Sequence, residues 1–266
     1  MRMDFKLLIN LSLVLLLLGL PSRSFAGRDL NLVATNYPPF YADSLPEQGG
    51  VAQVVKEAFK RQGYNASVKF YPFARAALLV KTGQADGIIG LWYRKEREQW
   101  AHYSAPIQAV QIVFYKRKDN PLRFSQLSEL KPFTIGIGRG YANPPEIAAT
   151  GLTTEEGNSD EMNLKKLFLK RIDLVLIGHN LAQYLIKKNQ SEYADTFEQV
   201  GDPIATEVFH LGVSLAITDQ STLIDEFNKG LESMGQDGRL EAILSQYPQI
   251  QSAVDPIEKI RTQAHP

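Results

Sequence analysis

The sequence contains no cysteine. That single absence excludes disulfide frameworks, thiolate zinc sites, iron–sulfur clusters and cysteine nucleophiles. It has no surplus of one charge either. Lys and Arg number 29 and Asp and Glu number 29, so nothing in the balance points to nucleic acid or to an anionic membrane surface. Histidine is scarce, and His102, His179, His210 and His265 are too scattered for a short metal motif such as H-E-x-x-H. No metal or other cofactor is expected. What is present is ordinary globular material: 44% hydrophobic and 22% charged residues over 266 positions, enough for one or two domains.

The one long apolar run lies at the start. Arg2 and Lys6 precede Leu7 to Leu20, Pro21 breaks the run, and Ser24-Phe25-Ala26 supplies small residues three and one before a cut. This pattern predicts a cleaved secretory signal peptide over 1–26. Fourteen residues fall short of the roughly 20 needed to span a bilayer. No cysteine follows the cut, so a lipid anchor there is not expected. The mature chain would have 240 residues and a formal net charge of −2, after loss of Arg2, Lys6, Arg23 and Asp4. A cysteine-free exported protein suits the periplasm, where folding need not rely on disulfides.

After the leader, strand and helix patterns alternate. Leu30–Ala34 reads as a strand. Gly49-Gly50 opens a helix with Val51, Val54, Val55, Ala58 and Phe59 on one face, ending before Gly63. Ala66–Phe70 is a second strand, Ala74–Lys81 a short helix, and Asp86–Trp92 a short buried strand. A second unit follows: a strand over Thr134–Ile137, a helix start at Pro144-Pro145-Glu146, helix over Leu164–Leu169 and a strand over Leu174–Ile177. This order predicts an α/β fold with helices on the sheet faces. A weak internal echo joins the units, since Leu79 to Gly90 and Leu167 to Gly178 each run helix end, turn, Asp, apolar strand, Gly. Gln111–Tyr115 and Phe209–Leu215 read as strands linking two lobes. A helical pair, broken at Gly235-Gln236-Asp237-Gly238, closes the pattern, and the polar tail after Pro248 is expected to be poorly ordered.

Five motifs then stand in one order: Asn36-Tyr37-Pro38-Pro39-Phe40; Gly83-Gln84-Ala85-Asp86; Arg97 followed by Tyr103-Ser104-Ala105-Pro106; Leu127-Ser128-Glu129-Leu130 with Gly136 to Gly140; and Gly235 to Gly238 with Ile243 to Tyr247. In that order, over nearly all of 28–247, the chain resembles the solute-binding proteins of the amino-acid (family 3) class, the periplasmic receptors of ABC importers. The resemblance implies a two-lobed, type II periplasmic-binding-protein-like fold, each lobe a mixed sheet flanked by helices. Lobe one would be 27–114 plus 210–266 and lobe two 115–209, with the ligand in the cleft between them.

The resemblance makes Arg97 the first choice for a ligand carboxylate, and a planar guanidinium with two parallel N–H donors suits that role. Arg94 stands where many relatives carry threonine; it is either a second cation of the site or an outward-pointing charge. Arg75, near a helix start where a cation opposes the dipole, faces either an anionic ligand or an acidic neighbour. Tyr37 and Trp92 are candidate walls, with Tyr41 beside them and Phe40 read as core. Gly90 ends the lobe-one strand, and Gly140, Tyr141 and Ala142 precede a lobe-two helix; they either offer backbone N–H groups to an anion or form an ordinary glycine turn. At Gly178 relatives usually carry an aspartate for the ligand's amino group; here His179 stands beside a glycine, either as a ligand residue that accepts a hydrogen bond without replacing a fixed negative charge, or as a merely structural one.

The leading expectation is therefore a monomeric, non-enzymatic periplasmic receptor. It would capture a small, carboxylate-bearing solute, an amino acid or a relative of one, for an ABC permease. Two alternatives stand. One is an enzyme on the same fold, a cyclohexadienyl dehydratase-like lyase, which needs a general acid in the cleft, where no carboxylate is expected. The other is a receptor feeding a membrane sensor.

Overall fold

The computed structural model describes residues 27–251. The expected signal peptide and the end of the expected tail lie outside the described residues. Within them, no helix is long and apolar enough to cross a membrane.

The chain runs β1 (Arg28–Ala34), α1 (Gly50–Arg61), β2 (Tyr64–Phe70), α2 (Phe73–Lys81), β3 (Gly87–Leu91), β4 (Ala101–Tyr103) and β5 (Gln108–Arg117). It continues through β6 (Thr134–Gly138), α3 (Pro145–Thr150), β7 (Thr153–Gly157), α4 (Asp160–Phe168), β8 (Leu174–Gly178), α5 (His179–Lys188) and α6 (Gln190–Tyr193). It ends with β9 (Phe197–Ser214), α7 (Gln220–Gln236), α8 (Arg239–Leu244) and α9 (Pro248–Gln251). The strand order is β2-β1-β3-β9-β5-β8-β6-β7, with β4 also on β9. In the first lobe β2, β1 and β3 are parallel, and in the second β7, β6 and β8 are parallel. The two meet through antiparallel β9, which pairs with β5 as far as Phe209 and with β3 from His210 onward. One 18-residue strand thus serves both sheets.

The internal echo has a physical basis. After α2, Gly83 takes a left-handed turn with φ 69°; after α4, Lys170 takes the same turn with φ 58°. Asp86 then accepts the Asn31 N–H at 2.7 Å while its own N–H donates to the Asn31 carbonyl. Asp173 does the same with Thr134, at 2.8 Å. In each lobe a buried-strand aspartate clamps the adjoining parallel strand, so the motif Gly83 to Asp86 is architectural.

Helix α1 buries Val51, Val54, Val55, Ala58 and Phe59 and packs on α7 and β2, as its 3.6-residue apolar spacing dictates. Phe59 and Phe227 meet with ring centroids 5.3 Å apart. Several elements were not expected, among them α6 and the first half of β9. β4 is too short to show a pattern. β7 has four exposed residues in its five and pairs only with β6, so it lacks apolar alternation. Helix α5 starts directly on Gly178. The tail also departs from expectation: Pro248–Gln251 is helical, Ile250 is fully buried, and Asn180 and Gln108 donate to the carbonyls of Gln249 and Ile250.

Candidate functional site

The carboxyl ends of the parallel strands β1, β3, β6 and β8 converge, the place where open α/β sheets bind ligands. The loop after β1 brings Tyr37 and Tyr41, whose backbones pair (Tyr37 N–H to Tyr41 carbonyl, 2.8 Å). The end of β3 brings Gly90 and Trp92, and the helical turn Lys95–Gln99 brings Arg97. From the second lobe come the loop after β6, with Gly140 to Pro144, the first residue of α4, Asp160, and Gly178 at the end of β8.

Rings from both lobes interlock here. Tyr141 lies edge-on to Phe73 at 5.5 Å and to Trp92 at 6.1 Å, and Trp92 lies edge-on to Tyr37 at 6.2 Å. Two small chambers flank Tyr37, Trp92 and Tyr141. The first is completed by Thr35, Tyr41, Phe73, Gly90, Arg97 and Ala142. The second is completed by Ile112, Asn143, Pro144, Asp160 and the end of β8. Their cavity volumes are about 20 and 10 Å³, room for about one water each, so the lobes meet closely.

Glycines permit this contact. A Cβ on Gly90, at φ 79°, would lie 1.9 Å from the Tyr41 hydroxyl. A Cβ on Gly178 would lie 2.4 Å from the Tyr37 hydroxyl. Tyr37 therefore occupies the space into which any side chain at 178 would project.

Arg97 is buried in the wall of the first chamber. Its guanidinium donates to the carbonyls of Trp92 (3.0 Å) and Gly140 (3.3 Å) and lies 4.9 Å above the Phe73 ring. Burial lowers its pKa from the ordinary value, and the Tyr103 phenol opposes that shift while Arg94 adds to it. A guanidinium keeps its charge under such a shift.

Arg94 is engaged elsewhere. It holds Glu207 of β9 through two bonds, at 2.5 and 3.0 Å, and donates to the carbonyls of Ala142 and Asn143 across the cleft. It points neither into a chamber nor outward; it straps the first lobe to β9 and to the second lobe. Arg75 is exposed over the Tyr71 ring at 5.1 Å, outside both chambers. His179 is also outside, half-buried, with Nδ1 2.9 Å from Gln199 Oε1. Phe40 is core. The structure thus gathers Arg97, Tyr37, Trp92, Gly90, Gly140 and Tyr141, and leaves Arg94, Arg75 and His179 apart.

The expectation of a cleft without a carboxylate is overturned by Asp160. It is buried, lines the second chamber, and accepts the Tyr141 hydroxyl at Oδ2, 2.8 Å. Burial raises its pKa from 3.8 to about 6, opposed by the bonds from Tyr141 and its own backbone N–H. In sequence Ser159-Asp160-Glu161 is an ordinary acidic helix start, and Ser159 does cap α4 by accepting the Met162 N–H. Nothing there separates buried Asp160 from exposed Glu161. Among the described residues, no group of three or more His, Asp or Glu side chains could hold a metal.

Among solved structures, the fold resembles a histidine kinase sensor domain similar to periplasmic binding proteins, with TM-score 0.74, 17% identity, and coverage of 83% of this chain and 96% of that one. It also resembles a periplasmic binding protein of an arginine transport system from Legionella pneumophila, with TM-score 0.71, 18% identity, and coverage of 83% and 100%. In sequence the chain is 25% identical over 233 residues to the arginine-binding extracellular protein ArtP of Bacillus subtilis (strain 168), covering 84% of this chain and 87% of the relative. A family model matches residues 31–250, and the chain belongs to the bacterial extracellular solute-binding proteins, family 3.

Proposed function

We propose that the chain is a periplasmic receptor, exported under a leader cut after Ala26, that closes two lobes over an amino acid or a related carboxylate-bearing solute. It acts as a monomer and delivers the solute to an ABC permease. The lobes are 27–114 with 210–266, and 115–209, and a hinge motion parts them for solute entry. The observation that carries this reading is Arg97, a buried guanidinium in an aromatic wall between the lobes. It supplies a positive charge where water is excluded, and a solute carboxylate matches its donor geometry. The Bacillus subtilis relative is arginine-binding, which makes L-arginine the first solute to try.

The test is calorimetric titration of the mature chain with L-arginine and the other common amino acids, then of Arg97→Ala with the solute that binds. Removing one partner of a buried charge pair costs about 2–5 kcal/mol, or roughly 30- to 4,000-fold in affinity. Arg97→Lys recovers part of the loss, and Arg75→Ala binds like the parent. Binding by Arg97→Ala within threefold of the parent contradicts the reading.

Asp160 favours one alternative. A buried carboxyl with a pKa of about 6 is a competent proton donor, as a lyase on this fold would need. Recovery of the bound solute unchanged after long incubation with the protein separates receptor from enzyme.

A further inference from the structure

Asp160 opens helix α4, where a carboxylate suits the helix dipole, but it is buried in a chamber that gives a charge few partners. Apart from Asn143 and Tyr141, the second chamber is walled mainly by Ile112, Pro144, Leu176 and Ile177 and by the rings of Tyr37 and Trp92. The Tyr141 hydroxyl and the residue's own backbone N–H are its donors, against about four lone-pair sites on a carboxylate. A second polar atom at the same place lacks a match. Trp92 is 8% exposed, its ring lines both chambers, and its buried Nε1–H has no hydrogen-bond partner among the described residues. Buried polar atoms in native proteins are as a rule satisfied. Here a carboxylate and an indole N–H, an acceptor and a donor, go under-used in adjoining walls of one cleft.

We infer that Asp160 receives a cationic group of the solute, against the ring faces of Tyr37 and Trp92, while Arg97 and the Trp92 N–H receive its anionic group. The inference rests on the reading that the solute lies between the lobes. It narrows the solute class to molecules carrying an amine or guanidine and a carboxylate together. An ammonium or guanidinium is suited to both parts of this subsite, since it pairs with a carboxylate and is attracted to aromatic faces. Gly178 does not compete for the role, because the Tyr37 hydroxyl fills the space beside it.

Tyr37, Tyr41 and Tyr141 are the titratable groups that interact with Asp160, and burial pushes all three above the ordinary tyrosine value. They stay neutral through the acid and neutral range, and Asp160 is the group that titrates. Affinity for an amine-bearing solute is then level above pH 7 and falls up to tenfold per pH unit below about 6.

The test is calorimetric titration of the mature chain, at pH 8 and pH 5, with the 20 common L-amino acids, agmatine, and the 2-hydroxy-acid counterparts of those binding amino acids whose side chains carry no cation. Asp160→Asn, which keeps an acceptor for Tyr141, is titrated beside the parent. The expected result is an amino acid that binds, a hydroxy acid at least 30-fold weaker, and an Asp160→Asn variant at least 30-fold weaker whose residual affinity does not depend on pH. Equal binding of an amino acid and its hydroxy acid overturns the inference but leaves the carboxylate receptor standing, and Arg97→Ala then still abolishes binding. Undiminished binding by Asp160→Asn overturns it as well. If no amine-bearing probe binds at either pH, both the inference and the amino-acid reading fall.

Discussion

Asp160→Asn makes the protein more stable at pH 8, in the absence of solute, by about 3 kcal/mol, the free energy that corresponds to moving a carboxyl from 3.8 to about 6. The direction follows from proton linkage. A carboxyl whose folded pKa lies above its unfolded value binds protons more tightly in the folded state. Its favourable contribution is complete only well below 3.8, where both states are protonated, and is lost as pH rises from there through about 6. Above that the folded protein carries a buried, poorly solvated anion, and asparagine removes it. For a chain of this size about 3 kcal/mol is roughly 6–12 °C in Tm. Calorimetric melts at pH 8 and pH 4 check this: the variant melts well above the parent at pH 8, and the two converge at pH 4. A variant less stable than the parent at pH 8 shows that the carboxylate holds the fold together and removes the ground for giving it to a solute. A group that destabilises the protein at its working pH is one of the ways function shows against stability.

Arg94→Met destabilises the protein by about 3 kcal/mol, because it leaves Glu207 buried without its partner. The ion pair is double-bonded, Glu207 is 9% exposed, and Arg94 is 22% exposed, which places the loss at the low end of the range for buried pairs. The same substitution frees the carbonyls of Ala142 and Asn143, so the lobes lose a direct tie. Urea denaturation measures the first effect and small-angle scattering the second, as a larger radius of gyration. The double variant Arg94→Met with Glu207→Leu regains most of the stability, since no charge is left unpaired, but stays open. A single variant within 1 kcal/mol of the parent with an unchanged radius contradicts the strap.

These two residues mark where sequence reading stops. Elements with apolar periodicity were legible: α1 from Val51 to Phe59, β3 from Ile88-Ile89, β8 from Leu174 to Ile177, and the paired turns that place Asp86 and Asp173. β7 was not, because a polar edge strand leaves no pattern to read. The helix over Pro248–Gln251 was not, because one buried side chain, Ile250, decides it. At the cleft, family likeness led to Arg97, and strand ends led to Tyr37, Trp92 and Tyr141. Arg94 reads as either a site cation or an outward charge, because local sequence does not reveal Glu207, 113 residues away. Asp160 escaped because burial, the property that distinguishes it from Glu161, belongs to the tertiary structure.

A solute held between the lobes has its poles on Arg97 and Asp160. The most direct measurement is a crystal structure of the mature chain with the tightest-binding amino acid from the titrations. The expected structure has the carboxylate in a two-pronged contact with the Arg97 guanidinium, the cationic group hydrogen-bonded to Asp160, and the Trp92 N–H donating to the solute. A solute outside the cleft, or one turned so that Asp160 faces its apolar part, would contradict it.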